Sequence, residues 1–274
     1  MKSMKFLVRI AVIGVLLSTF SCKKYLNENL NKSAISDDAQ WASEKNADIF
    51  LNSLYGQLTQ MHNTPDYVDN FTDDNDGGIY WRSWRWRQGI VGPSFDGGVP
   101  FDDFGAGGYA NWGNTFTRIR RCNTFIQKVT ANKGSAFSPA WAAKRLDEVK
   151  FLRAYWYAML WQHVGGLPII TTVLNNADGS DILYPRSTFE QTENFITTEL
   201  DAVINDGKLA VKYSLGNPDA GRATLGAALM VKGWVQLYAA SPLFNSGSYV
   251  LPDPNNMVHF ATADPNRWAV AAAT

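Results

Sequence analysis

The stretch Pro139-Ala-Trp-Ala-Ala-Lys-Arg-Leu-Asp-Glu-Val-Lys-Phe-Leu-Arg-Ala-Tyr-Trp-Tyr-Ala-Met-Leu-Trp-Gln-His163 decides the fold. Leu146, Val149, Leu152, Trp156, Met159 and His163 recur at three- and four-residue steps, the period of one helix face. Phe151, Tyr155 and Ala158 widen that face. After Phe151 the segment is apolar nearly all round, which marks a central, buried helix. Pro139 suits a first turn, where a backbone N–H is not needed. Gly165-Gly166 and then Pro168 stop the helix.

A buried helix needs other helices around it, and the chain supplies them on both sides. Upstream, Trp112 to Val129 carries Trp112, Phe116, Ile119, Cys122, Ile126 and Val129 along one stripe. Trp41 to Met61 repeats Ile49, Leu51, Leu54, Tyr55 and Leu58 at helical spacing, with Asp37 and Asp38 placed for its N-terminus. Downstream, Phe189 to Ile204 has Ser187 as a candidate cap with Glu190 three residues on. Thr224 to Ala240 is read as packing Leu225, Leu229, Met230, Trp234, Leu237 and Tyr238 inward. Its Gly and Ala residues leave room for close helix contact, and Ser241-Pro242 ends it. Leu167 to Val173 reads as a short extended piece. Arg267 to Thr274 opens another helix without a stop signal, so the chain is expected to be truncated on its C-terminal side. The fold class is mainly α.

Two regions are not helical. Asn63 to Asn111 is a connection of nearly fifty residues, punctuated by Gly77-Gly78, Gly97-Gly98 and Gly107-Gly108 and holding Tyr80, Trp81, Trp84 and Trp86. Connections of that length are usually functional or disordered, and this aromatic content argues against disorder. The other region is the N-terminus. Lys2, Lys5 and Arg9 precede an apolar run, Ile10 to Leu17, too short to span a bilayer. Small and polar residues then lead to Ser21-Cys22. This order is a secretory signal over residues 1–21. A cysteine at its end fits a bacterial lipoprotein lipidated at Cys22, although Thr19 stands where an aliphatic residue is usual. A plain secreted protein with a chance cysteine is the alternative. Residues 22–40 read as a tether, and 41–274 as the helical domain.

Composition excludes several classes. Charged residues are 18% of the chain, against about a quarter in ordinary proteins, and aromatics are 13%. The formal net charge is +0, which argues against a nucleic-acid partner. Cys122 has no second cysteine to pair with once Cys22 is lipidated, and reads as a buried free thiol.

The candidate sites each have two readings. In Tyr80-Trp81-Arg82-Ser83-Trp84-Arg85-Trp86-Arg87, exposed indoles can stack on sugar C–H faces while Arg groups hold the hydroxyls. The same indoles can simply pack the loop onto the helices. Asp73-Asp74-Asn75-Asp76-Gly77-Gly78 offers clustered oxygens for calcium, but the EF-hand spacing is not met. A solvated turn or a sugar-hydroxyl contact by Asp73 and Asp74 are the other options. His62, His163 and His259 lack zinc spacing, so no metal or other cofactor is expected. His163 reads as a hydrogen-bonded core residue. No G-x-S-x-G elbow is present. A carboxylate pair such as Asp102-Asp103 does not by itself make a glycosidase, and the chain is not expected to be an enzyme.

Several stretches taken together resemble a known family. They are Ser21-Cys22-Lys23-Lys24-Tyr25-Leu26, then Trp112...Phe116..Ile119...Asn123 and Glu148-Val-Lys-Phe-Leu-Arg-Ala-Tyr-Trp-Tyr157. Gly165-Gly-Leu-Pro-Ile169, Tyr184-Pro-Arg-Ser-Thr188, Phe195-Ile...Glu199-Leu-Asp-Ala-Val203, Gly221-Arg-Ala-Thr224 and Ser241-Pro-Leu-Phe-Asn245 follow in order. The set resembles the SusD/RagB family of nutrient-binding surface lipoproteins. The resemblance implies paired helices of tetratricopeptide-like type with long irregular loops, although no strict repeat is visible in the sequence. It also implies a lipid-anchored protein on the outer face of the outer membrane, capturing a glycan or sometimes a peptide for a TonB-dependent (SusC-like) transporter. A surface glycoside hydrolase on a helical scaffold, and a scaffold lipoprotein that binds no nutrient, are the rival readings.

Overall fold

The computed structural model of the protein describes residues 36–59, 112–175, 182–249 and 252–274. Residues through Ala39 and residues from Gln40 onward form two separate units, and the helical body lies in the second. Cys22 and the signal, and the candidate residues Asp73, Asp74, Tyr80, Trp81, Trp84 and Trp86, fall outside the described residues, as do His62 and Asp102-Asp103.

Among the described residues there are seven helices and no strand ladder. A single turn, α1 (Asp37–Gln40), is followed by α2 (Glu44–Thr59), α3 (Trp112–Ala131) and α4 (Pro139–Val164). Then come α5 (Phe189–Asp206), α6 (Leu225–Ala240) and α7 (Asn266–Ala272). From α3 onward each helix packs chiefly on the next in sequence, and α2 closes against α3 and α4. The expected mainly α architecture is therefore present, with the expected boundaries kept to within a few residues.

α4 is the centre of the core. Leu152, Ala154, Trp156, Tyr157, Ala158 and Leu160 are completely buried. Burying each large side chain contributes about 1.5–3 kcal/mol. Trp161 packs against Phe189 of α5 with ring centroids 4.6 Å apart, and Tyr157 meets Phe195 edge-on at 4.9 Å. Arg118 of α3 lies 4.4 Å over the Trp156 ring.

The polar half of α4 is buried too. Arg145 bonds Asp48 of α2 (Nε–Oδ1 2.8 Å), Glu148 one turn on, and Asp219 of the α5–α6 connection (Nη2–Oδ1 2.9 Å). Arg222 reaches Glu148 at 3.1 Å and Asp219 at 3.0 Å. Tyr55 of α2 donates to the same Glu148 at 3.1 Å and accepts from the Ala223 N–H. Burial works against charge on Asp219, but the bonds from Arg145 and Lys144 outweigh it and hold its carboxyl down at about 2. This network fastens α2 and the 207–224 connection to α4.

Three expectations need correction. Asp37 and Asp38 lie within α1 and do not cap the long first helix; α2 starts at Glu44, where the Ser43 hydroxyl accepts from the Asn46 N–H at 3.3 Å. The cap of α5 is Thr188, not Ser187. Thr188 Oγ1 accepts from the Gln191 N–H while the Gln191 side chain accepts from the Thr188 N–H, a complete capping box shifted by one residue. On α6, Leu229, Met230 and Leu237 are exposed rather than inward, and the inner face is Ala228, Val231, Val235 and Ala239. Apart from Lys232 and Gln236 that helix carries only apolar or small side chains, so periodicity had no broad polar face to orient it.

Gly165-Gly166 does more than end α4. A Cβ on Gly165 would lie 2.0 Å from the Met257 carbonyl oxygen, and one on Gly166 would lie 1.9 Å from that of Ser187. Gly165 also has φ +77°, a region that disfavours side chains. Two passing segments exploit this space. Gly166 N–H donates to Met257 O, Ser187 N–H to Leu167 O at 3.0 Å, and Phe189 N–H to Asn256 O at 2.8 Å.

Candidate functional site

A groove opens where three pieces of chain converge: the first turn of α3, the segment 167–175 that leaves α4, and the segment 182–185 that leads into α5. Trp112 and Phe116 form one side, Pro168 and Ile170 the floor, and Ile182, Leu183, Tyr184 and Pro185 the other side. Its volume is about 600 Å³, within the ~300–1,000 Å³ common for small-molecule sites. A second depression of about 270 Å³ adjoins it across Phe116 and Ile170 and adds Thr117, Arg120 and Thr172.

Side chains of the core hold the floor in place. Asn123 of α3 donates to the Ile170 and Thr172 carbonyls at 2.9 and 3.1 Å. Its own carbonyl accepts from Arg153 Nη1 at 2.8 Å, and Arg153 in turn pairs with Glu199 of α5. Tyr157 of α4 donates to Pro168 O at 3.1 Å and accepts from Ile170 N–H at 2.8 Å. The irregular segment thus satisfies its backbone on helix side chains instead of in a sheet, as buried backbone must. The far side is fixed by Arg186, which donates to Gly166 O at 2.7 Å and Val164 O at 2.6 Å.

The groove presents aromatic faces to solvent. Trp112 is 41% and Tyr184 42% exposed. Trp112 rests on Phe116, with ring centroids 5.1 Å apart, and the Arg186 guanidinium stands 5.9 Å from the Trp112 ring. An indole and a phenol of this kind can stack on an apolar ring face, and Arg120, Arg186, Thr117 and Thr172 can serve polar groups at its edge.

The sequence reading missed this site. It placed Trp112 on the core stripe of α3, because its spacing from Phe116 fits that face. The available signal was position: Trp112 opens a helix directly after a Gly-rich connection, where an apolar side chain need not be covered. Tyr184 drew notice only as part of a motif.

The other residues singled out have structural roles here. His163 is half-buried, and burial pushes its imidazole down to about 4, so it is neutral at physiological pH. His259 stacks on Tyr249 at 3.4 Å and bonds the Phe260 carbonyl. Cys122 is a fully buried free thiol, as expected, and burial raises it to about 12 against the pull of Arg153 and Arg121. Among the described residues, no group of three His, Cys, Asp or Glu side chains is placed to hold a metal ion, and no helix is long and apolar enough to cross a membrane.

No family model and no curated protein matches the chain. Solved structures do. A SusD-like protein from Bacteroides fragilis aligns over 75% of this chain at 24% identity with a TM-score of 0.54. A SusD superfamily protein from Bacteroides thetaiotaomicron aligns over 73% at 16% identity with a TM-score of 0.54. A laminarin-binding SusD-like protein aligns over 72% at 19% identity with a TM-score of 0.53. The chain spans 37%, 47% and 41% of those three proteins respectively. At such identities the likeness speaks to the fold, and at that level the family resemblance read from the motifs holds.

Proposed function

We propose that this chain, which carries the SusD-like helical fold, is a surface nutrient-binding protein that captures glycan in the groove between Trp112 and Tyr184. The observation that carries the reading is an open groove with two exposed aromatic faces, a rigid floor and cationic groups at its rim. Sugar rings offer apolar faces to such aromatics and hydroxyls to such rims, and rigid aromatic contact surfaces lose little entropy on binding. That one protein of the same fold binds laminarin supports the same class of ligand.

The rest of the proposal follows from the sequence. Cys22 is the lipid attachment point, which anchors the protein to the outer membrane and not through it. A TonB-dependent transporter of SusC type receives the captured glycan. Tyr80, Trp81, Trp84 and Trp86, with Asp73 and Asp74, belong to the connection that ends at Trp112, and we assign them to the same ligand. The protein binds and does not cleave.

Calorimetry of the whole protein against laminarin, xylan and maltohexaose tests the reading. Trp112→Ala and Tyr184→Ala are each expected to weaken the best ligand tenfold or more, about 1.4 kcal/mol, with the melting temperature held. Trp81→Ala, Trp84→Ala and Trp86→Ala are run beside them. Unchanged affinity in both groove variants would refute the groove, and new reducing ends on incubation would refute a purely binding role. Loss of palmitate labelling and of membrane association in Cys22→Ala checks the anchor.

A further inference from the structure

We propose that a second, smaller site lies between α5, α6 and α7, away from the groove, and that it takes a neutral polyhydroxyl molecule the size of one sugar ring. The site is a half-enclosed cavity of about 170 Å³. That is far above the ~10–15 Å³ a single water occupies and below the ~300 Å³ at which drug-sized sites begin. Glu193, Asn194 and Thr197 of α5, Gln236 of α6 and Arg267 of α7 turn polar groups into it, beside Ala239, Phe260 and Val270.

The lining is fixed and mixed in hydrogen-bonding sense. Arg267 lies flat on Phe260, 3.6 Å from the ring centroid, and donates through Nη1 to Asn245 Oδ1 at 2.7 Å and Thr262 O at 3.1 Å. Thr197 spends its proton on the Glu193 backbone carbonyl at 3.1 Å, which leaves its oxygen an acceptor. Gln236 accepts from Thr274 through its amide oxygen, which leaves its NH₂ as a donor. Burial raises the Glu193 carboxyl to about 7, with Arg267 opposing and Glu190 adding to the shift. Its neutral form, which both donates and accepts, is therefore favoured more than in an ordinary glutamate. Hydroxyls, which also do both, match such a lining.

Charge selects against ions. Arg267 already faces Glu190 at 3.4 Å, so a ligand carboxylate or phosphate at the guanidinium would meet Glu190 as well. A ligand ammonium would find Glu193 but also the nearby cation. A neutral molecule meets neither conflict.

Saturation-transfer NMR on the whole protein with glucose, galactose and mannose, and glycine as a zwitterionic control, tests the proposal. At least one monosaccharide is expected to show transfer. Gln236→Leu and Asn194→Leu, both in the cavity lining, are expected to raise its dissociation constant tenfold or more, while Trp112→Ala leaves it unchanged. Both leucine variants are checked for an unchanged melt. Absence of transfer from every monosaccharide overturns the proposal, as does displacement by glycine at equal concentration. Transfer that survives the leucine variants but vanishes in Trp112→Ala also overturns it, and assigns the monosaccharide to the groove instead.

Discussion

Gly166→Ala puts a methyl group where the backbone of another segment passes. The new Cβ would sit 1.9 Å from Ser187 O and 2.8 Å from the Thr188 carbonyl carbon, against about 3.4 Å for ordinary contact. Those neighbours are main-chain atoms, so no flexible side chain can yield. The 185–188 segment must withdraw by about 1.5 Å, the difference between 1.9 and 3.4 Å. Bonds that cross there include Gly166 N–H to Met257 O, Ser187 N–H to Leu167 O and Arg186 to Gly166 O. Losing two of them costs about 2 kcal/mol net, which at this size lowers the melting temperature by about 4–8 °C. Gly56→Ala is the internal control. Gly56 is exposed on α2, and a Cβ there meets nothing within 4 Å. It should stabilise by about 0.5–1 kcal/mol through helix propensity. Scanning calorimetry of both variants reads the contrast directly. A Gly166→Ala melt within about 1 °C of the wild type would refute the reasoning, since net losses of this order cannot leave so small a trace.

Leu152→Ala is expected to cost about 2–5 kcal/mol and Trp156→Ala about 3–5, because both side chains are completely buried; chemical denaturation measures both. Glu148→Ala removes one of the carboxylates that Arg145 and Arg222 share, leaving them Asp219 and depriving Tyr55 of its acceptor, and a loss of about 1.5–3 kcal/mol is expected by the same measurement. Asp147 is 1% exposed, and burial and the Asp206 carboxyl raise it to about 6 against the pull of Lys150. A raised carboxyl pKa favours the protonated folded state, so its contribution is full below about pH 4 and lost as pH rises through 6. Asp147→Asn should therefore raise the melting temperature at pH 7.5, with a gain that shrinks toward pH 4.5. Cys122 should resist a thiol reagent at pH 8 in the native protein and react at once in denaturant, since the thiol is buried and held protonated.

The sequence by itself determined the helices. α4 was legible in full because its apolar run, its Pro139 and its Gly165-Gly166 all point to one element, and α3 and α5 followed from clean stripes. Orientation was legible only where a polar face existed to oppose the apolar one. α3 has such a face, and Ile119, Cys122 and Val129 are buried as read. α6 has only Lys232 and Gln236, too few to mark an outer face, and its exposed Leu229, Met230 and Leu237 were assigned inward. Tertiary structure alone decided the fate of the charges. Arg145, Glu148 and Arg153 look like a solvated helix surface, yet they are buried because Asp48, Asp219 and Glu199 arrive from elements far away in sequence to neutralise the two arginines, and Arg222 arrives to pair with Glu148. The groove belongs to the same category. Pattern placed Trp112 in the core because helical spacing records which residues share a face, not whether anything comes to cover it. Asn123, Tyr157 and Arg186 build the site by holding irregular backbone in place, and long-range contacts of that kind leave no periodic trace in a sequence.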